Sequence, residues 1–221
     1  MLAPTLVLLA CGLAAPAAGQ QLLTAAAVFV HGGCWLTSYG IGHVGLLEEA
    51  WAEAGYAGWS LEYRRVGGEG GGWPGTYQDV AAGADHLRTL AGTFPLDLER
   101  VVASGHSAGG SFGLWLAARD RIPRESELWR SDPLRVGGVL ALAPAPDLEG
   151  LHAAGVCGNV IDGSWGPVGR TWHRHAPEVG ARGVQLLEAP ESGHFEMIVP
   201  GTSTLTLVME ALAELFRKIA G

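Results

Sequence analysis

The sequence has few basic residues and no cluster of them. Only 14 of its 221 residues are Lys or Arg, against 22 acidic residues, and the formal net charge is -8. No stretch of Lys or Arg forms the basic stripe that phosphate backbones and anionic lipid surfaces require. The composition therefore argues against nucleic acid and anionic membranes as partners and favours a neutral or cationic small molecule.

Metal-binding patterns are missing as well. The chain has only three cysteines. His173 and His175 are close in sequence, but no cysteine or carboxylate lies at a spacing that would complete a site with them. We therefore expect no metal centre.

Glycine and apolar residues are abundant instead. The 34 glycines follow no period, and 48% of the residues are hydrophobic. Irregularly spaced glycines indicate many tight turns rather than a fibre, and an apolar content this high provides a sizeable core. Since no linker or repeat interrupts residues 20–221, we predict one globular domain there.

The first 19 residues resemble a secretory signal. Residues 2–18 are small and apolar and lead to the cleavage-like string Ala-Pro-Ala-Ala-Gly, although no basic residue precedes them. Pro4, Gly12 and Pro16 interrupt the run and argue against a stable membrane span. The prediction is a secreted or periplasmic protein, or a cytoplasmic one if this segment is not a signal.

Apolar runs of strand length alternate with amphipathic segments. The pattern predicts an α/β fold, a mostly parallel sheet with helices on both faces. In the predicted helix at residues 44–54, Glu48, Glu49 and Glu53 are expected to face solvent. Predicted strands cover residues 25–30, 56–63, 100–104, 137–143 and 184–188, and predicted helices cover residues 44–54, 77–90, 108–119 and 202–219.

Ser107 lies at the junction of a predicted strand and a predicted helix, within Gly105-His106-Ser107-Ala108-Gly109. A turn this tight excludes side chains at its flanking positions and lifts the serine oxygen above the sheet edge. Ser107 is the predicted nucleophile, and the backbone N–H of Ala108 is a predicted oxyanion donor. The alternative is an ordinary glycine turn.

A second glycine segment follows the first predicted strand. Without side chains at Gly32 and Gly33, backbone N–H groups can approach a substrate oxygen. Gly32, Gly33 and Cys34 are therefore assigned to the second half of an oxyanion hole, with Gly33 and Cys34 as the donors. Taken alone, the pair would indicate only a tight turn.

His194 is the predicted general base, because it lies in a loop between the last predicted strand and the last predicted helix. The acid that would orient it stays open between Asp147 and Asp162. Asp147 is preferred because it follows the strand at 137–143, although an Asp after Pro is also a common helix N-cap. A site without an effective acid is the third alternative.

Cys34 and Cys157 are predicted to form a disulfide in the mature protein. Both lie in loops after parallel strands, and hence at the same edge of the sheet, whereas Cys11 would leave with the signal. Two free thiols are the alternative, because the loop geometry is not known from the sequence.

These segments together resemble the esterase and kynurenine-formamidase-like branch of the α/β-hydrolases. The resemblance implies a serine hydrolase without a cofactor, which cleaves small carboxylic esters or formyl amides through an acyl-enzyme. It also implies Ser107 as nucleophile, His194 as base, and Gly32, Gly33 and Ala108 in the oxyanion hole. It is carried by His31-Gly-Gly-Cys-Trp35, Glu62-Tyr-Arg-Arg65, Gly105-His-Ser-Ala-Gly-Gly110 and Gly193-His-Phe195.

Two departures from that family predict a hydrolase with fewer strands than usual. Only 24 residues precede the first predicted strand, and Gly166 stands where the family's acid is expected. The chain would then be a minimal enzyme, a truncated gene product or a weakened relative. The alternative function is a non-catalytic binding protein on the same scaffold. The sequence gives no indication of the oligomeric state.

Overall fold

A parallel sheet of four strands forms the centre of the described structure. The computed structural model describes residues 24–145, 147–158, 160–161 and 185–220. The sheet has the order β2-β1-β3-β4, and every neighbouring pair is parallel. Its strands are β1 (Thr24–Val30), β2 (Ala57–Leu61), β3 (Leu96–His106) and β4 (Gly138–Leu142).

Helices cover both faces of this sheet, which confirms the predicted fold class. They are α1 (Gly45–Glu53), α2 (Gly75–Asp85), α3 (Leu87–Ala91), α4 (Ala108–Leu116), α5 (Leu148–Ala153) and α6 (Ser203–Ile219). Short 3-10 turns lie at Ile41–His43, Arg119–Arg121 and Glu196–Ile198. No helix within the described ranges is both long and apolar enough to cross a membrane.

Alternate residues of β1 belong to different hydrophobic clusters. Ala26, Val28 and Val30 pack with residues of α2, α3 and α4. Ala25, Ala27 and Phe29 pack with residues of α1 and α6. Because successive side chains of a strand point to opposite faces, this division follows directly from the strand's period of two. β1, which is buried from Ala25 to Val30, therefore lies between two helical layers, and its carboxyl end opens onto the candidate site.

Three predictions about single elements are wrong. Residues 185–188 form no strand, and Leu186 among them is 81% exposed. The predicted helix at 77–90 is two helices, because α2 ends at Asp85 and α3 starts at Leu87. Glu48 is buried rather than facing solvent. For residues 185–188 and Glu48 the sequence pattern is local, whereas the outcome depends on which other segments pack beside these residues.

Candidate active site

Ser107 is the single residue between β3 and α4. Its backbone lies at φ 56 and ψ -124, a conformation that is unfavourable for a residue with a side chain. The Ser107 N–H donates to the carbonyl of Leu142 at 2.9 Å, and the Gly110 N–H donates to the Ser107 carbonyl at 2.9 Å. One hydrogen bond to β4 and one from α4 thus hold the serine in this sharp turn between β3 and α4.

The glycines beside Ser107 are required by close backbone packing. A Cβ atom at Gly109 would lie 1.9 Å from the Val30 carbonyl oxygen, and one at Gly105 would lie 2.2 Å from the Gly109 oxygen. A Cβ atom at Gly110 would lie 3.0 Å from Pro144. Since a side chain at Gly105 or Gly109 would overlap backbone atoms, only glycine lets α4 approach the end of β1 this closely.

The loop after β1 passes directly beside the serine. A Cβ atom at Gly32 would lie 3.0 Å from the Ser107 Cβ atom and 2.7 Å from the His106 carbonyl oxygen. The next residues, Gly33, Cys34 and Trp35, have φ angles of 107, 50 and 58. Three successive positive φ values make a tight turn, and this turn places Gly32 on one side of Ser107 while Ala108 begins α4 on the other.

His106 connects the serine turn to the loop that carries His194. The His106 Nε2 atom lies 2.7 Å from the His194 carbonyl oxygen, and the two imidazole rings are 4.6 Å apart. The Phe195 ring lies 5.4 Å from the His106 ring. Because a carbonyl oxygen only accepts, His106 donates this bond. No role for His106 is predictable from the sequence, since nothing local marks it as the partner of a loop 88 residues away.

The His194 side chain is exposed. Within the described residues, no hydrogen bond joins its ring to Ser107 or to a carboxylate. Asp147 is the N-cap of α5, and its exposed side chain accepts a hydrogen bond of 2.8 Å from the Gly150 N–H. The capping role of Asp147 is thus the one that the structure displays. Asp162, the other proposed acid, lies outside the described residues.

Cys34 and Cys157 are joined by a disulfide with a Cα–Cα distance of 5.5 Å. The bond links the glycine turn after β1 to the segment that follows α5, across 123 residues of sequence. It therefore ties the loop beside Ser107 to a distant part of the chain. Cys11, the signal-like residues 1–19, His173 and His175 lie outside the described residues.

A buried polar network supports the start of this loop. His31 is fully buried, with Nδ1 2.7 Å from the Gly32 carbonyl oxygen and Nε2 2.6 Å from Glu62 Oε1. Arg65 Nη1 donates to the same Glu62 oxygen at 2.5 Å. Burial raises the pKa of Glu62, but hydrogen bonds and charge interactions with His31 and Arg65 lower this pKa by more, so that it falls below its ordinary value. Glu62 is therefore an ionised partner at neutral pH.

No group of three or more histidine, cysteine, aspartate or glutamate residues in the described part of the chain is arranged to hold a metal ion. The described residues bring together a serine in a strained turn, a glycine loop and a histidine-bearing loop.

Solved structures of esterases share this fold. The propionate-bound Est2 esterase from Thermogutta terrifontis is 17% identical with a TM-score of 0.62, and the match covers 89% of this chain and 84% of that one. A hyperthermophilic esterase from Pyrobaculum calidifontis is 15% identical with a TM-score of 0.66, over 90% and 76% of the two chains. A putative carboxylesterase from Lactobacillus plantarum is 19% identical with a TM-score of 0.55, over 74% and 63%.

The chain thus spans less than two thirds of that carboxylesterase. A comparison with curated protein sequences found no match. At these identities the solved structures show a shared fold. A sequence model of one family, BD-FAE, matches residues 12–150, which is more than half of the chain and includes both the glycine loop and the serine turn. The chain therefore belongs to the BD-FAE family and has an α/β-hydrolase fold.

Proposed function

We propose that this protein is a serine hydrolase that cleaves small carboxylic esters through an acyl-enzyme intermediate. The observation that carries the proposal is Ser107 in its strained turn at the start of α4, with Gly32 packed against it. A serine held this way has its oxygen accessible, beside backbone N–H groups that are available to an oxyanion. The resemblance to structures named esterases supports ester substrates.

The reaction follows from the roles of the three segments. His194 takes the proton of the Ser107 hydroxyl while the serine oxygen attacks the ester carbonyl. The N–H groups of Gly33, Cys34 and Ala108 are the proposed donors to the negatively charged oxygen that forms. His194 then protonates the departing alcohol, and a water molecule, activated by the same histidine, hydrolyses the acyl-enzyme.

Formyl amides are a second substrate class for the same chemistry. The Glu62-Tyr63-Arg64-Arg65 and Gly193-His194-Phe195 segments, which resemble the kynurenine-formamidase-like branch, support this extension. A formyl group is small, so it needs no larger acyl pocket than acetate does. Hydrolysis of an N-formyl arylamine, compared with p-nitrophenyl acetate, tests it directly.

The disulfide supports an oxidising working compartment. Structural disulfides persist mainly in exported proteins, and the Cys34–Cys157 bond is present here. We therefore propose that the protein is secreted or periplasmic. Two titratable thiols in native, exported protein would contradict this.

Covalent capture by a fluorophosphonate tests the central proposal, because the probe reacts with an activated serine and not with an ordinary one. The parent should be labelled and should hydrolyse p-nitrophenyl acetate, and Ser107→Ala should do neither. Ser131→Ala is the matched control, since Ser131 is exposed, and it should behave as the parent. Equal labelling of Ser107→Ala and the parent would rule out Ser107 as the nucleophile, and an unlabelled folded parent would favour a non-catalytic binding protein.

A further inference from the structure

The peptide that joins Gly32 to Gly33 lies in the glycine loop beside Ser107, and glycine leaves its orientation unrestrained. Gly33 has a φ of 107, in a region that glycine enters freely, and a peptide between two glycines rotates with little steric hindrance. An oxyanion donor is effective only if its N–H is fixed before the reaction begins. Something must therefore hold the peptide that joins Gly32 to Gly33.

The contact between His31 and Gly32 fixes that peptide. The Nδ1 atom of His31 lies 2.7 Å from the Gly32 carbonyl oxygen. A carbonyl oxygen accepts and never donates, so Nδ1 must carry a proton and donate it. Because a trans peptide is planar, its C=O and N–H point in opposite directions. Holding the Gly32 oxygen toward His31 therefore also fixes the direction of the Gly33 N–H.

The His31 ring is itself held on several sides. Its Nε2 atom lies 2.6 Å from Glu62 Oε1 and donates to it, since an ionised carboxylate only accepts, and Arg65 donates to the same oxygen at 2.5 Å. The ring stacks on Tyr63 with centroids 4.4 Å apart and an interplanar angle of 13°. The Tyr63 hydroxyl donates to the His31 carbonyl at 2.9 Å. A fully buried imidazole with these contacts has essentially one orientation.

We propose that His31 is a positioning residue of the hydrolytic reaction, which fixes the Gly33 N–H through the Gly32 carbonyl, and that Glu62 holds His31 in place. This inference rests on the proposed function. His31 does not contact substrate, since it is fully buried. Its effect is on kcat, because the developing oxyanion and not the bound ester depends most on the N–H.

Two substitutions of His31 distinguish the roles of its two ring nitrogens. The amide of Asn lies near the position of Nδ1, whereas the longer Gln places its amide near Nε2. His31→Asn therefore retains a donor toward Gly32, and His31→Gln retains a partner for Glu62. In p-nitrophenyl acetate hydrolysis we expect kcat of His31→Gln to fall about a hundredfold, the scale of one lost oxyanion donor, with KM within about threefold.

His31→Asn should retain about ten times more kcat than His31→Gln, at a similar thermal unfolding midpoint. Equal losses in two folded variants, or a loss confined to KM, would overturn the proposal. A purely structural role would lower stability in both variants without this difference in kcat.

Imidazole ¹⁵N NMR tests the same contact without any activity. In the full chain with ¹⁵N-labelled histidine, His31 should show a slowly exchanging Nδ1 proton. In Glu62→Ala this proton and the Gly33 amide proton should exchange at least about tenfold faster, whereas Glu69→Ala, at an exposed glutamate, should change neither. An unprotonated Nδ1 in the parent would overturn the proposal. If the parent were to show the protected proton but no hydrolysis, the proposed function would fail while the contact itself would stand.

Discussion

Gly109→Ala should lower both the stability of the fold and kcat, because backbone atoms already occupy the space that the added methyl group needs. The added methyl group would lie 1.9 Å from the Val30 carbonyl oxygen and 2.6 Å from the His31 carbonyl oxygen. Both atoms belong to backbone that flexible side-chain movement cannot relieve. To restore an ordinary contact distance, α4 and the end of β1 must move apart by about 1 Å or more. Overpacking of this kind lowers the free energy of unfolding by about 3 kcal/mol.

For a domain of this size, a loss of 3 kcal/mol lowers Tm by about 6–12 °C. A movement of about 1 Å at Ser107 would lower kcat about a hundredfold. Differential scanning calorimetry and p-nitrophenyl acetate hydrolysis measure the two effects. Gly45→Ala is the matched control, because a Cβ atom there meets nothing within 4 Å, and Gly to Ala at an unstrained position stabilises by about 0.4–1 kcal/mol. A Gly109→Ala variant with the Tm and kcat of the parent would refute this reasoning.

Three further predictions concern other contacts. His106→Phe removes the donor to the His194 carbonyl and should lower kcat about tenfold or more, whereas His106→Gln retains a donor and should lose less; equal kcat in both variants would contradict this role. Burial raises the pKa of Glu48 above its ordinary value of 4.5, more than its hydrogen bonds lower it, so the parent loses stability as pH rises from the ordinary value through the raised one. Glu48→Gln should therefore gain stability over the parent between pH 4 and pH 8 in urea unfolding, and a constant difference would exclude the effect. Cys157→Ser opens a cross-link that spans 123 residues and should lower the free energy of unfolding by up to about 5 kcal/mol, as should reduction of the parent by dithiothreitol; unchanged urea midpoints in both would rule this out.

Local requirements made much of this protein predictable from its sequence. A side chain at Gly105 or Gly109 would overlap backbone atoms of this turn, so the spacing of these glycines predicts the turn at Ser107 without knowledge of the fold. The apolar runs that became β1 and β4 are strands of a buried parallel sheet, whose side chains are apolar on both faces. Thr202 caps α6 with its side chain, at the predicted start of the closing helix, because capping depends only on residues within one turn.

Contacts between distant segments were decided by the tertiary structure. Residues 185–188 have the composition of a strand, yet a strand exists only where another strand supplies hydrogen-bond partners. Asp147 satisfies the sequence criteria both for an acid and for an N-cap, and the structure displays the cap. Glu62, which holds His31, and His194, whose carbonyl accepts from His106, lie 31 and 88 residues away from these histidines in sequence. A side chain's chemistry can be read locally, but its hydrogen-bond partner is set by the packing of the elements that carry the two groups.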